Sequence, residues 1–120
     1  MPRRTTPSPF GFKVGARIRQ LRLERGLSLA EVADAGLLSK GHLSSVEHGL
    51  AAITIETIEK IARALGLLPM DLLTFPGDDM RAEVGDLVRS MPARELSKLR
   101  RELQERLGLR KPRSPGKGKA

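Results

Sequence analysis

An all-α fold is the expectation, and three observations lead to it. Aromatic residues, which strands favour, are nearly absent: there are three Phe and no Trp or Tyr. β-Branched residues are few and scattered. Apolar residues recur at spacings of three and four, the period of an amphipathic helix rather than the period of two that marks a half-buried strand.

The elements follow in chain order. Val14, Ile18 and Leu21 define one face of a first helix that Gly26 stops. SLAE at 28–31 is a capping box, in which Ser28 accepts from the amide of Glu31 while the Glu31 carboxylate reaches back to the Ser28 amide. It opens a short second helix containing Val32 and Ala33. A turn, AGLL, leads to Ser39, which can cap a third helix over 39–47 whose apolar positions are Leu43 and Val46. Thr54 starts a fourth, with Ile55, Ile58, Ile61, Ala62 and Leu65 expected on its inner side and Gly66 at its end. Pro69 suits the first turn of a fifth, PMDLL, because its missing N–H would be unpaired there anyway. PGDD after Phe75 signals a linker. Beyond it Val84, Leu87, Val88 and Met91 form one helical stripe, Pro92 restarts the chain, and Leu96, Leu99, Leu103 and Leu107 form another. Two such helices joined at SMP make an αα hairpin. About thirty residues cannot hide both stripes alone, so they must pack on the first domain or on another chain.

A chain of 120 residues suffices for one compact core with an appendage. Without cysteine there is neither a disulfide nor a thiolate metal site. The two histidines, His42 and His48, are six residues apart and do not share a helical face, so no metal or cofactor is expected. No apolar run is long enough to cross a bilayer, and MPRRTTPSPFGFKVGARIRQ lacks the apolar block of a secretion signal. A soluble, cytoplasmic protein is expected. There is no glycine-rich phosphate loop and no His beside a nucleophile-and-acid arrangement, so an enzyme is not.

The net charge of +8 suggests an anionic partner, and its distribution is uneven. Residues 1–13 carry Arg3, Arg4 and Lys13 with no acid; residues 108–120 carry Arg110, Lys111, Arg113, Lys117 and Lys119 with no acid. The body between them holds fourteen basic and fourteen acidic residues and is neutral. The ends, rich in Pro, Ser and Gly, are expected to be disordered arms over 1–12 and 109–120. Such arms suit loose contact with phosphates, and they also serve as solubilising tails.

The stretch SLAEVADAGLLSKGHLSSVEHG resembles the helix-turn-helix of the phage-repressor-like Cro/C1 (Xre-type) family, and the resemblance extends over residues 13–75. It implies a five-helix, repressor-like helix-turn-helix domain whose second and third helices read DNA, followed here by the helical hairpin at 76–108. Ala33 stands where the family needs a small residue, because the two helices cross closely there. Val32, Leu38, Leu43 and Val46 match its buried positions, and Glu-His-Gly looks like its Glu-x-Gly close. Arg22 and Glu47 match a structural pair that ties the first helix to the third. ITIETIEKIARALGL followed by PMDLL resembles the helices that complete the core.

Three positions depart from the family pattern. A glycine usually lies four residues after the small alanine, where the turn is left-handed; here that slot holds Leu37, and Gly36 comes one residue early. Either a strained leucine, at roughly 1 kcal/mol, or a shifted turn is implied. Leu29 stands where a phosphate-bonding Gln is frequent, and Ile53 where a proline often precedes the fourth helix.

With Leu43 and Val46 pointing inward, Lys40, Gly41, Ser44 and Ser45 fall on the opposite, open face. The family's base-contacting positions map onto these four. Lys40 can donate to O6 and N7 of guanine, and the two serines can donate or accept. Gly41, with no side chain, lets the backbone approach the groove. Ser28, Ser39, His42 and His48 flank this face and are better placed for phosphates, which set register rather than read sequence. Ser39 has a simpler role as a helix cap, and Ser44 and Ser45 as ordinary surface residues.

The resulting expectation is a sequence-specific transcriptional regulator that binds double-stranded DNA, a homodimeric repressor associated with the nucleoid and reading a palindrome through the helix at 39–47. A neutral module should bind weakly alone, and joining two makes the second engagement intramolecular. Dimers of this class set their reading helices about 34 Å apart. The hairpin at 79–107, through Leu96, Leu99, Leu103 and Leu107, is the candidate dimer or protein-partner interface; a cap folded on its own domain is the plainer alternative. Two other functions fit the same residues: an Xre-type antitoxin whose hairpin binds a different protein, and an adaptor that has lost DNA reading, for which Leu29 and the neutral body speak.

The charge distribution makes a prediction. Deleting residues 109–120 should weaken binding to specific and random duplexes alike and flatten the salt dependence of both, read from paired titrations over a range of salt. A loss confined to the specific duplex would contradict it.

Overall fold

The computed structural model describes residues 8–109. The basic stretches at 1–7 and 110–120 lie outside the described residues. Seven helices follow one another: α1 (Pro9–Glu24), α2 (Leu29–Ala35), α3 (Lys40–Glu47), α4 (Ile55–Leu65), α5 (Pro69–Leu72), α6 (Met80–Arg89) and α7 (Ala93–Leu107). The chain divides into two compact units between Asp86 and Leu87 rather than at 75/76.

Helix α1 begins at Pro9, inside the stretch 1–12 expected to be a disordered arm. The Ser8 hydroxyl accepts from the Gly11 amide at 3.0 Å, and Pro9 occupies the first helical position. Residues 9–12, assigned above to a disordered arm, are therefore a capped first turn. The signal was a Ser-Pro pair, a helix start with φ of the second residue already set. From there Val14, Ile18 and Leu21 turn inward as expected.

The first unit is organised around Ile18, Leu21, Leu43, Ile61 and Leu72, none of which exposes any surface. Each contributes about 1.5–3 kcal/mol by leaving water. Val32 and Ala33 of α2, Val46 of α3, and Ala62 and Leu65 of α4 close the same core. One expected core residue is not there: Ile55 is 84% exposed. The buried seam of α4 runs through Thr57, Ile61, Ala62 and Leu65, so the first turn overhangs the core edge. The hydroxyls of Thr54 and Thr57 meet at 3.0 Å on the inner side instead.

A buried arginine extends this unit into α6. Arg17 donates through Nε to the Asp71 carbonyl at 3.2 Å, through Nη1 to Gln20 at 3.2 Å and through Nη2 to Asp86 at 2.7 Å. One guanidinium thus joins α1 to α5 and α6, which moves the boundary past the PGDD linker. Asp71, itself buried, caps α5 by accepting from the Leu68 amide at 2.9 Å. Lys13 pairs with Asp78 and lies over the Phe75 ring, 4.7 Å from its centroid. In the second unit, by contrast, no residue of α7 is buried.

The turn between α2 and α3 resolves the alternative posed by Leu37. Gly36 has ordinary angles (φ −92°, ψ 1°), and Leu37 takes the left-handed conformation at φ 58°. The turn keeps its usual register and the leucine carries the strain. Gly36 is small for a different reason: a Cβ there would meet the Val32 and Lys60 carbonyl oxygens at 3.2 and 3.3 Å. Its backbone is pressed against α4. Leu37 itself is 84% exposed and has little burial to lose. Leu37→Gly should therefore stabilise the protein by about 1 kcal/mol and raise Tm by several degrees, measured by thermal and urea unfolding. An unchanged or lower Tm would show that the leucine is not strained.

Candidate nucleic-acid interface

Helix α3 is fixed by its inner side. Ser39 caps it, its hydroxyl accepting from the His42 amide at 3.0 Å. Leu43 and Val46 are wholly buried in the core. Glu47 meets Arg22 of α1 in a two-pronged ion pair, Nε to Oε2 at 2.7 Å and Nη2 to Oε1 at 3.0 Å. The remaining Nη1 donates to the Leu27 carbonyl at 2.9 Å. Both side chains are buried, and the Glu47 hydrogen bond holds the Arg22 guanidinium pKa above its ordinary value against the cost of desolvation. Such a fork fixes direction as well as distance.

The same end of α3 touches α1 backbone to backbone. A Cβ on Gly15 would lie 2.3 Å from the Val46 carbonyl oxygen and 2.6 Å from that of Glu47. Gly49, at φ 73°, reciprocates: its Cβ would lie 2.7 Å from Phe12 Cα. These obstacles are main chain and cannot swing aside. Position and tilt of α3 are therefore set by two glycines and one ion pair.

The outer side is open. Lys40 and Gly41 are exposed, and space beyond Gly41 is empty to 4 Å. Lys40 has no ion-pair partner among the described residues. Ser44 and Ser45 are half-buried, and their side chains are shorter than that of Lys40. His42 is half-buried on the flank. His48, the exposed C-cap, places Nδ1 2.8 Å from the Ser44 carbonyl oxygen. A carbonyl only accepts, so Nδ1 carries the hydrogen; Nε2 then donates only when the ring is doubly protonated.

At the start of α2 the capping box forms as the sequence implied. Glu31 donates its amide to the Ser28 hydroxyl at 3.0 Å, and the Ser28 amide donates to the Glu31 carboxylate at 2.8 Å. That amide bond holds the Glu31 pKa below its ordinary value. The stabilisation is present above the usual carboxylate range and is lost as pH falls through the depressed pKa. The box leaves the exposed Ser28 only its O–H hydrogen to offer an anion. Leu29, half-buried, packs against the core. Among the described residues no group of three or more His, Asp or Glu could hold a metal, and no helix is long and apolar enough to cross a membrane.

The interface residues named from the sequence thus occupy α3 and the start of α2. Leu96, Leu99, Leu103 and Leu107 belong to the second unit, with Leu96 and Leu99 half-buried and the other two exposed. Sequence reasoning missed Gly15, whose only signal is a glycine inside an otherwise regular helix pattern. It also missed Arg17, one turn of helix from Leu21 on the apolar face.

Comparison with known proteins agrees with this fold. The helix-turn-helix family profile matches residues 18–73. The control protein C.BamHI of Bacillus amyloliquefaciens is 37% identical over 62 residues, covering 51% of this chain and 76% of that protein. The chain belongs to the Cro/C1-type helix-turn-helix family. This is a family of transcriptional regulators. Another member, the HTH-type transcriptional regulator DdrOP3 of Deinococcus deserti, is 39% identical over 70 residues, which cover 56% of this chain. The match spans about half of that relative, 54% of its length. Among solved structures, the restriction-modification controller protein C.Esp1396I, a tetramer in complex with its natural 35 base-pair operator, matches with a TM-score of 0.52 and 26% identity. It covers 55% of this chain and 87% of that one. Within the matched residues, the Arg22–Glu47 pair braces α1 against α3.

Removing one arm of that brace strands a buried charge. Arg22→Ala and Glu47→Ala should each cost about 3–5 kcal/mol in urea unfolding, whereas the double replacement R22M/E47L should cost far less. Single losses below the double would contradict a buried pair.

Proposed function

We propose that this chain is a sequence-specific, DNA-binding transcriptional repressor, cytoplasmic and associated with the nucleoid, which reads a palindromic operator as a homodimer through α3. One observation carries the reading: an exposed Lys40, without an ion-pair partner among the described residues, beside the open Gly41, on a helix whose other side is immobilised by Arg22–Glu47 and by glycine contacts. A pre-set helix with a bare outer face loses little freedom on entering a groove, and the major groove admits a helix. The operator-bound state of C.Esp1396I supports the same use of the shared module.

On this reading the roles divide by side-chain length. Lys40 reaches the O6 and N7 edge of a guanine. Ser44 and Ser45, shorter, bond base edges that come close, and the missing side chain of Gly41 permits that approach. Ser28, Ser39, His42 and His48 meet phosphates on either side, Ser28 through its hydroxyl hydrogen and His48 through Nε2.

Footprinting of genomic fragments with the purified protein tests the proposal, expecting protected sites with two-fold symmetry and half-sites about one helical turn apart. Lys40→Ala should cost about 1–3 kcal/mol on such a site and relax preference at one base pair per half-site. Uniform weakening on all sequences, or no protected site at low salt, would refute the assignment.

A further inference from the structure

Helix α7 carries one row of leucines, Leu96, Leu99, Leu103 and Leu107, and not one of its residues is buried. Leu103 and Leu107 expose 42% and 63% of their surface. Beside the row lies a groove of about 270 Å³, lined by these leucines and Val88, with Arg100 on its rim. The flanks are charged in a pattern. With Leu96, Leu99 and Leu103 at the seam positions of a helical pair, Glu95 and Glu102 fall on one flank and Arg100 on the other. Neither Glu95 nor Arg100 has an ion-pair partner among the described residues.

We infer that α7 is the pairing surface for a second copy of this chain, parallel and in register, with the leucine row at the seam and Glu95 of each copy set against Arg100 of the other. The inference rests on the homodimeric reading above and supplies its geometry. Charge decides the direction. In a parallel pair each flank faces the opposite flank of the second helix, so the acidic side meets the basic side twice by symmetry. In an antiparallel pair like faces like, with Arg100 against Arg100 and glutamate against glutamate. The spacing of three, four and four residues lies near an eleven-residue repeat, so the helices run almost straight side by side. A row this short makes a weak pair.

The chain has no cysteine, so single cysteines report cleanly. Full-length Leu96→Cys and Leu107→Cys, treated without DNA with a short bis-maleimide, should each crosslink to themselves. Adding Glu95→Arg or Arg100→Glu should cut the yield about tenfold, and mixing the two charge-swapped chains should restore it. Two results overturn the inference: crosslinks only between the 96 and 107 variants when mixed, or none at all. In an antiparallel pair the two copies of position 96 lie about 16 Å apart along the axis, beyond reach of the reagent. Because no residue of α7 is buried, these changes leave the first unit folded, and gel shifts on the same proteins separate the two readings. Crosslinking lost with the specific shift retained sinks the pairing alone; a missing shift with crosslinking intact sinks the DNA reading and leaves the pairing standing.

Discussion

The contact between α1 and the end of α3 is the constraint on which the rest depends. Arg22 and Glu47 form their fork at 2.7 and 3.0 Å, and this geometry holds only if the two helices approach as closely as Gly15 and Gly49 allow. The two devices reinforce each other. A Cβ at either glycine would push the helices apart and stretch the ion pair in a place where water cannot compensate for it. Conversely, without the pair the glycines alone would leave the end of α3 held by Val46 and Leu43. A short helix of eight residues has little stability of its own. It is helical and correctly aimed because of what it is tied to.

Around that contact the local chemistry is mostly that of helix ends. Ser8, Ser28, Ser39 and Thr54 each accept from an amide three residues on, and Asp71 caps α5 from inside it. Caps of this kind offer about 1 kcal/mol each and fix where helices start. The α2–α3 turn is the one place where local preference and structure conflict. Leu37 accepts the left-handed conformation because the register on both sides is already decided: Gly36 is pressed against α4 and Ser39 is committed to capping α3. Shifting the turn by one residue would bring a side chain at position 36 to 3.2 and 3.3 Å from the Val32 and Lys60 carbonyl oxygens, tighter than ordinary contact.

Most of the first unit was legible in the sequence because its signals are local. The capping box, the Glu-His-Gly close, the 14-18-21 stripe and the Pro69 start each lie within a few residues of one another. What was misjudged depends on contacts between distant segments. Ile55 matches the period of α4, but period says nothing of where a neighbouring helix ends, and here the core stops one turn short. Arg17 reads as a surface cation until Asp86, sixty-nine positions away, is seen to receive it. The same bond explains why the PGDD linker does not end the first unit. Of the candidate interface, the open face of α3 followed from the positions of Leu43 and Val46, whereas the half-burial of Ser44 and Ser45 required coordinates. The start of α1 was the avoidable error, since Ser-Pro at 8–9 is itself a helix signal.

Charge and packing together explain why a molecule of this kind, on the proposed reading, would work in pairs. The body between residues 14 and 107 carries no net charge, so, the basic ends apart, a single module has little general attraction for a polyanion and would rely on a few contacts from α3 and its flanks. A weak leucine seam in α7 and a weak single-site engagement are each insufficient alone. Coupled, each raises the effective concentration for the other, and the product can exceed either by orders of magnitude. Such coupling rewards a site with two correctly spaced halves and gives little to one half alone. A neutral body, which looks like a deficiency in a DNA-binding protein, then becomes a source of selectivity: strong nonspecific attraction added to that of the basic ends would hold single modules on any sequence and dilute the advantage of the paired site.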